Sequence, residues 1–400
     1  MHCLSQVSTN NVDDNVLEVI NFHCLLLTLS PTFCDTIVYN SGKRFLIAYN
    51  VCSEVLSQLG ENIPETLSSD ETTAMTEATL GLVKGITDED LLGMKEIDSK
   101  LATSISFYSL MWRAAYHAKQ DMVPFITCRV VQHTMENGLC KHSIGGFITL
   151  AALLCGNILP KKDIKSATKI GKAAMSCFTQ RYNTSEQIPE IYASYYGFVA
   201  WRTEPLQTCT KKHGQGFELS MSLGEPDMAF INSVCQISSS FLAGDKLPSL
   251  LEKVDYYLKL ADTCNHEVSI SLLTIFRGTI AILINGGNSS PFATEAQETS
   301  PLKILESMHS HSALRAYWQG HNTRSQHFAD KLMKITTKSE MGLLNGTAIL
   351  FFNGLNSFAL MKNHCTTRLK PKAMRFLQLL KTTSEHSSFN FKNKVSNCSS

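Results

Sequence analysis

The even spacing of helix-ending signals is the feature that most constrains this chain. The signals follow one another at intervals of 20, 21, 20, 21 and 21 residues, at Asn183, Thr203, Gly224, Gly244, Asn265 and Gly286. Glycine and asparagine tolerate the left-handed conformation that ends a helix, and a nearby proline fits the first turn of the next helix. Each interval therefore accommodates a helix of about 16 residues and a short turn. Two intervals predict an antiparallel helix hairpin of about 41 residues.

The stretch GEPDMAF, residues 224–230, illustrates one of these turns. We expect Gly224 to end one helix and Pro226 to begin the next, because the first turn of a helix does not need the N–H that proline lacks. Apolar or small residues then recur every three or four positions, at Met228, Ile231, Val234, Cys235, Ser238, Phe241 and Leu242. This spacing predicts one buried stripe along a helix that ends at Gly244.

The remaining pattern favours helices throughout the chain. No sustained alternation of apolar and polar residues is bounded by Asn-Gly or Asp-Gly turns, so strands are not expected. Helix hairpins cannot bury their apolar faces alone and therefore stack on their neighbours. The sequence predicts an all-α protein. More closely, it predicts an α-solenoid of antiparallel helix hairpins, tetratricopeptide-like but with a longer repeat of about 41 residues.

The helical pattern divides the chain into five regions. We expect a disordered N-terminus at 1–12, a helical-repeat array at 13–285, a loop at 286–301, further helical repeats at 302–384, and a frayed helix or tail at 385–400. The array is interrupted near residues 64–96, where threonine, serine and acidic residues are frequent. At best one short helix is expected in the part from Pro64 to Asp90.

Composition argues against several classes of partner and location. The net charge is +1, from 36 basic and 35 acidic residues, so no overall field attracts nucleic acid or anionic lipid. The thirteen cysteines are scattered and form no C-x-x-C pair, which is typical of reduced thiols in a cytoplasmic protein. Polar residues interrupt the longest uncharged run, between Glu340 and Lys362. A buried helix is therefore expected there rather than a membrane span.

The motifs of common enzyme classes are incomplete. GKR at 42–44 and GKA at 171–173 lack the hydroxyl residue of a phosphate-binding loop. GQG at 214–216 continues to Leu219, where a dinucleotide fingerprint needs glycine. SATK at 166–169 has the S-x-x-K spacing of a serine nucleophile, but no KTG or SDN companion is present. We expect no catalytic residue, no cofactor and no enzymatic activity.

The histidines and the basic runs do not complete a ligand site. Four histidines lie close together in the sequence, at His309, His311, His321 and His327, but no cysteine or carboxylate completes a metal set at ligand spacing. They are expected to be polar residues at helix ends. The basic runs from Lys161 to Arg181 and from Arg368 to Lys394 lack interleaved aromatic residues for stacking on bases. Neither metal binding nor nucleic-acid binding is therefore expected.

Aromatic residues are concentrated in YASYYGFVAWRTEPL, residues 192–206. Trp201, Tyr195 and Tyr196 lie in this segment, and Phe241 and Tyr257 lie on later helices. Large aromatic side chains either anchor a protein interface or fill the core between helices. These five residues are the candidate binding or core anchors, and a core position is favoured for Trp201.

Five short motifs give the chain a family resemblance. In order, they are LSQLGENIP at 56–64, AWRTEPL at 200–206, LGEPDMA at 223–229, FLAGDKLPSLLEKVDYY at 241–257 and FNFKNK at 389–394. Their combination resembles the helical-repeat region of large multidomain signalling ATPases, over roughly residues 40–394. In that family, a serine/threonine-kinase-like domain and an AAA-type ATPase module precede a tetratricopeptide-like arm. GAF and histidine-kinase domains often follow it.

The resemblance implies a sensing or scaffolding arm that couples the binding of a partner to a nucleotide switch. The kinase and ATPase motifs of the family are absent from this sequence, so the resemblance carries over no catalytic residue. The chain is either a fragment of a longer protein or a separate remnant. We expect a non-catalytic scaffold that contacts proteins or adjacent domains of a signalling assembly. Two alternatives stay open: a nucleic-acid-binding helical solenoid, and an enzyme with an unrecognised site between helices.

Overall fold

The computed structural model describes residues 41–156, 163–286, 302–336, 344–364 and 369–392. Within these residues the regular secondary structure is helical, which confirms the all-α prediction. Glu96 and Leu139 form one isolated β-bridge. The α-helices are α1 (Ser41–Gln58), α2 (Ser69–Leu82), α3 (Asp88–Leu92), α4 (Ser99–Ala118), α5 (Val123–Asn137), α6 (Ser143–Cys155), α7 (Ile164–Cys177), α8 (Ile188–Ser194), α9 (Leu206–Ser222), α10 (Pro226–Ala243), α11 (Leu247–Thr263), α12 (Glu267–Ile284), α13 (Leu302–Trp318), α14 (Asn322–Thr336), α15 (Leu344–His364) and α16 (Lys370–His386).

The described helices fall into two compact units. The first unit contains α1, α2, α4 and α5, and the second contains α3 and the helices from α7 onward. The boundary lies inside α6, after Gly146. The predicted array at 13–285 therefore includes residues of both units.

In the first unit, α1 and α5 pack against α4, and α2 packs against α5. Apolar side chains from these helices are buried, among them Leu56, Phe107 and Ile126. Gly138 follows α5 with a φ of 125°, and a Cβ atom there would lie 2.6 Å from the Lys95 carbonyl oxygen. Glycine is therefore required at this position, both for the positive φ and for the close approach of the two chain segments.

In the second unit, each helix from α9 onward packs against the next one in the chain. α10 also contacts α12, and α13 also contacts α15. The predicted turns are confirmed, because Gly224, Gly244, Asn265 and Gly286 have φ values of 72°, 83°, 52° and 63°. α10 begins at Pro226, as predicted.

The core between α9, α10, α11 and α12 is apolar. Its buried side chains include Phe217, Val254 and Phe276. Within the described residues, α12 is the helix whose length and hydropathy would allow it to cross a membrane, and a third of it is buried. It contributes Phe276 to the core, and the guanidinium of its Arg277 donates to Asp255 of α11 at 2.6 Å. A core helix of a globular protein can have the same composition.

The segment near residues 64–96 contains more helix than predicted, because α2 has 14 residues and α3 follows it. The Ser68 hydroxyl accepts from the Glu71 N–H while the Glu71 carboxylate accepts from the Ser68 N–H. Thr87 and Asp90 form the same reciprocal cap on α3. The prediction of at most one short helix is wrong, because these caps offset the low helix propensity of threonine and serine.

α10 buries Met228, Ser238 and Leu242 of the predicted stripe, but it also buries polar residues outside the stripe. Ile231 is 40% exposed, whereas Asn232, Ser233 and Gln236 are buried. Helices α8, α9, α11 and α12 all contact α10. A helix enclosed on several sides buries polar side chains as well as apolar ones, and the prediction of a single apolar stripe is therefore wrong.

All five predicted regions lie partly or wholly outside the described residues. The N-terminus at 1–12 lies wholly outside, and the array, the loop, the further repeats and the tail lie partly outside, because the structure does not describe 1–40, 157–162, 287–301, 337–343, 365–368 and 393–400. Residues 388–392 are helical, and Phe391 is fully buried. The buried aromatic ring holds this short helix in place. The frayed helix or tail at 385–400 stays a prediction.

Candidate functional site

The backbone of the aromatic segment, residues 192–206, is irregular. After α8, a π-helical turn covers Tyr195–Val199 and a 3₁₀ turn covers Ala200–Arg202. α7 approaches this segment at Gly171, where a Cβ atom would lie 3.0 Å from the Val199 side chain. Widened π-turns are frequent at functional sites. The aromatic segment is therefore the candidate site.

Three of the five candidate anchors lie together in the aromatic segment. Tyr195, Tyr196 and Trp201 are buried, and Trp201 is only 1% exposed. Phe241 and Tyr257 lie apart from them, at the core between α9, α10, α11 and α12. The structure places all five side chains in contacts between helices.

A half-buried carboxyl group lies beside these tyrosines. Glu204 makes a hydrogen bond with the Tyr195 hydroxyl, and Lys172 and Lys212 lie near its carboxylate. Burial raises the pKa of Glu204, although Lys172, Tyr195 and Lys212 partly oppose this shift. Burial, with a contribution from Glu204, also raises the pKa of the Tyr195 and Tyr196 hydroxyls. Both tyrosines therefore stay protonated at neutral pH, and the Tyr195 hydroxyl can donate to Glu204.

Cationic side chains contact two aromatic rings of the segment. The Lys212 ammonium lies 4.9 Å from the centre of the Tyr192 ring and donates to its hydroxyl at 3.2 Å. The Arg202 guanidinium lies 4.0 Å from the Trp201 ring and donates to the Phe198 carbonyl at 2.6 Å. Arg202 is itself buried. These contacts hold the segment by cation–π attraction and by hydrogen bonds to its own backbone.

A buried polar network joins α10 to its neighbours α8, α9 and α11. The Asn232 amide donates to the Pro189 carbonyl at 3.0 Å, and the Gln236 amide donates to the Thr210 carbonyl at 3.2 Å. The Tyr257 hydroxyl donates to the side-chain oxygen of Gln236. Because buried polar groups are costly without partners, these bonds fix the position of α10 against the three helices around it.

Two glycines make room for this network. A Cβ atom at Gly214 would lie 2.5 Å from the Gln236 amide nitrogen, and one at Gly216 would lie 2.6 Å from the Asn232 side-chain oxygen. His213 Nδ1 lies 3.3 Å from the same oxygen. Burial lowers the pKa of His213 to about 4, so the imidazole is neutral at physiological pH. The short distances at Gly214 and Gly216 show that these glycines allow α9 and α10 to pack closely.

Replacing Gly216 with alanine is expected to lower the free energy of unfolding by about 1–3 kcal/mol. The new methyl group displaces the Asn232 amide. This amide is held in place by its hydrogen bonds to the carbonyls of Pro189 and Met228. Chemical denaturation followed by circular dichroism measures the change.

The matched control for this substitution is Gly81→Ala in α2. No atom lies within 4 Å of a methyl group at this position. Stability should therefore be unchanged or rise by about 0.5 kcal/mol through helix propensity. A Gly216→Ala protein as stable as the wild type would contradict the close packing of α9 and α10.

The short helix at residues 388–392 packs onto the aromatic segment. The Phe391 ring lies edge to face with Trp201, with ring centres 5.8 Å apart. The Asn390 amide donates to the Trp201 carbonyl at 2.8 Å and to the Glu204 carbonyl at 3.0 Å. The Ser387 hydroxyl donates to the Trp201 carbonyl at 2.8 Å. Residues 186 positions apart in the sequence therefore form one site.

Asn390 also completes the first turn of α9. Pro205 occupies the N-cap position of this helix and makes no side-chain cap hydrogen bond. The Asn390 side-chain oxygen accepts from the Leu206 N–H at 3.2 Å, which is the role that a local N-cap side chain normally has. We call the Trp201 ring, the Trp201 and Glu204 carbonyls and the Leu206 N–H the docking site.

The first unit contains a separate cluster of polar side chains around Glu61. One carboxylate oxygen lies 2.9 Å from Arg129 Nη2 and accepts from the Tyr108 hydroxyl at 2.8 Å. The other lies 2.9 Å from His133 Nε2. Burial disfavours the charged form of Glu61, but the hydrogen bonds to Arg129, Tyr108 and His133 together outweigh burial and lower its pKa. This cluster could not be predicted from the sequence, because its members share no local motif.

The histidines of α13 are placed differently from the prediction. His309 and His311 lie inside the helix and are buried, rather than at a helix end. The His311 ring lies 4.4 Å from Phe276 and 6.2 Å from Phe241, and its Nδ1 lies 2.9 Å from the Thr279 hydroxyl. Burial lowers the pKa of His311 to about 3, and the positive charge of Arg315 adds to this shift. Within the described residues, no group of three or more His, Cys, Asp or Glu side chains could hold a metal ion.

Ser166 and the cysteines have structural roles in the described residues. The Ser166 hydroxyl donates to the Asp163 carboxylate at 2.7 Å, at the start of α7. Six of the eight described cysteines are buried, and all eight are free thiols. Burial raises the pKa of Cys209 to about 12 and also raises the pKa of Cys128. These two thiols are therefore protonated and unreactive in the folded protein.

Comparison of the chain with protein-family models, with curated proteins and with solved structures gives no match. Membership of the signalling-ATPase family therefore stays a prediction from the motifs quoted above.

Proposed function

We propose that this chain is a non-catalytic helical-repeat scaffold or sensor arm, which mediates protein–protein or interdomain contacts in a signalling ATPase or kinase assembly. The observation that carries this proposal is the succession of helices from α9 to α16, each packed against the next. Left-handed turns at Gly224, Gly244, Asn265 and Gly286 separate the first of these helices at near-constant spacing. This succession favours a tetratricopeptide-like solenoid with a repeat of about 41 residues.

The polar groups of the second unit support a structural role over catalysis. The pKa values of Tyr195 and Cys209 are raised chiefly by burial, and that of His213 is lowered by burial. All three pKa values move away from neutral pH, so these groups hold one protonation state. Catalytic acids and bases usually have pKa values near the working pH. These three groups therefore favour packing over proton transfer, whereas burial raises the pKa of Glu204 toward neutral pH.

Exposed apolar side chains on successive helices offer contact area for a partner. They are Ile231 on α10, Tyr256 on α11, Val268 and Ile284 on α12, and Trp318 on α13. Aromatic side chains are enriched among the residues that contribute most to protein interfaces. Trp318, 55% exposed, and Tyr256 are therefore the surface residues that we expect to contribute most to binding.

A binding experiment with purified proteins tests the proposal. The full chain should hydrolyse no ATP and should bind the AAA-type module of a kinase-like signalling ATPase from the same organism, measured by calorimetry. Substituting both Trp318 and Tyr256 with alanine should weaken this binding by about tenfold or more. The matched control is Ser69→Ala on α2, which lies in the first unit and should leave the affinity unchanged. ATP turnover by the chain alone, or no binding to such a module, would overturn the proposal.

A further inference from the structure

The docking site consists mainly of main-chain groups that the second unit supplies. Trp201 lies in the 3₁₀ turn, Glu204 lies in the short connection after it, and Leu206 is the first residue of α9. Because Pro205 makes no side-chain cap, α9 takes a hydrogen-bond acceptor for its first N–H from another part of the chain. The site therefore presents two acceptors, one donor and an aromatic ring in a fixed arrangement.

Residues 387–392 fill this site with few side chains. The Asn390 amide donates to the Trp201 and Glu204 carbonyls, and its side-chain oxygen accepts from the Leu206 N–H. Phe391 packs on the ring, whereas its neighbour Phe389 is 74% exposed and takes no part. At Ser387 the backbone leaves the helical conformation, with φ of −144° and ψ of 57°. A bend therefore separates the segment from α16.

We propose that the docking site binds a protein segment with the pattern Ser-x-x-Asn-Phe in a short helical turn, and that residues 387–392 are its intramolecular occupant. This inference deepens the proposed scaffold function, because it names one binding site and the chemistry of its partner. It does not depend on an ATPase partner, which would bind through other surfaces such as Trp318.

The chemistry of the site discriminates among partner residues. An aspartate in place of Asn390 has an oxygen that can accept from the Leu206 N–H, but it has no N–H to donate. The Trp201 and Glu204 carbonyls would therefore lose the donor that the asparagine amide supplies. Glutamine carries the same groups one methylene further from the backbone. Alanine offers none of them. A partner that lacks asparagine at this position is therefore rejected because buried polar groups would lose their partners.

The intramolecular segment competes with any partner. A tethered segment acts at a high effective concentration, so a free peptide meets an occupied site in the wild-type chain. Weakening the tethered segment should therefore expose the site to a peptide added in solution.

A labelled peptide tests the proposal with the full chain. The probe is SEHSSFNFK, residues 384–392, with a fluorescein at its N-terminus. It is titrated against the wild-type chain and against an Asn390→Ala/Phe391→Ala variant, and binding is followed by fluorescence anisotropy. The peptide should bind the variant about tenfold or more tightly than the wild type, and it should raise the Tm of the variant alone. The control peptide carries Asn390→Asp and Phe391→Ala and should bind neither protein.

Other outcomes of the titration decide against the proposal. Equal binding of the two peptides, or no binding to a variant that circular dichroism shows to be folded, would overturn it. If the double variant does not fold, Asn390→Asp alone replaces it, with Phe389→Ala as the matched control at an exposed position. If light scattering shows a wild-type dimer that Phe391→Ala converts to a monomer, the occupant is the same segment of a second copy, and the partner proposal is wrong. None of these results bears on binding of the ATPase module, which is measured separately.

Discussion

Replacing Trp201 with alanine is expected to lower the free energy of unfolding by about 3–5 kcal/mol. The indole is 1% exposed and contacts both Phe391 and the Arg202 guanidinium. Its removal leaves a cavity between the aromatic segment and residues 388–392, and it also removes the ring that covers Arg202. The loss should therefore lie at the upper end of large-to-small substitutions in protein cores.

Urea denaturation followed by far-UV circular dichroism measures this loss. The matched control is Trp318→Ala, since the Trp318 side chain is 55% exposed and its removal should change stability by about 0.5 kcal/mol or less. Trp201→Phe should retain part of the stability, because a smaller ring still packs on Phe391. An unchanged denaturation midpoint for Trp201→Ala would indicate an exposed interface anchor and contradict the buried position.

Replacing Glu61 with glutamine is expected to lower the free energy of unfolding by about 2–4 kcal/mol. The change removes the charge that Arg129 and His133 face, and it leaves Arg129 without its nearest anion. Arg129 keeps 32% of its side chain in contact with water, so the loss should be smaller than for a fully enclosed pair. The comparison is Asp255→Asn, which breaks the exposed pair with Arg277 and should cost less than about 1 kcal/mol.

The effect of Glu61→Gln should depend on pH in a defined direction. The folded-state pKa of Glu61 lies below its ordinary value of 4.5, so its charged form stabilises the folded protein. This contribution is fully present above the ordinary pKa and is lost as the pH falls through the lowered folded-state value. The difference in stability between wild type and variant should therefore be constant near pH 7 and shrink below about pH 4.5. A difference that grows on acidification would contradict the ion pairs around Glu61.

Local signals in the sequence were sufficient to predict the turns that follow α9, α10, α11 and α12. Gly224, Gly244 and Asn265 end helices because their own backbone conformation sets the turn, and neighbouring residues have little influence on it. The helix in the threonine-rich segment was missed because a cap such as Ser68 with Glu71 depends on two side chains folding back together. The buried face of α10 was mispredicted for another reason. The buried side of a helix depends on all the helices that pack around it. The spacing of apolar residues in one helix carries no information about those neighbours.

The candidate site was predictable only in part. The aromatic residues Tyr195, Tyr196 and Trp201 stand out in the sequence, because rings of this size must be buried or bound. Asn390 carries no comparable signal, since its partners lie 184 to 189 positions earlier in the chain. A polar residue that caps a distant helix cannot be distinguished from a solvent-exposed one until the fold brings the two segments together.

The buried free thiols make this chain a set of internal probes of local opening. Cys52, Cys128 and Cys140 lie in the first unit, and Cys177 and Cys209 lie in the second. A thiol-modifying reagent can reach each of them only when the surrounding helices separate. The order in which they are alkylated, read by mass spectrometry of the intact chain and its peptides, would therefore rank the stability of the helices without any engineered label.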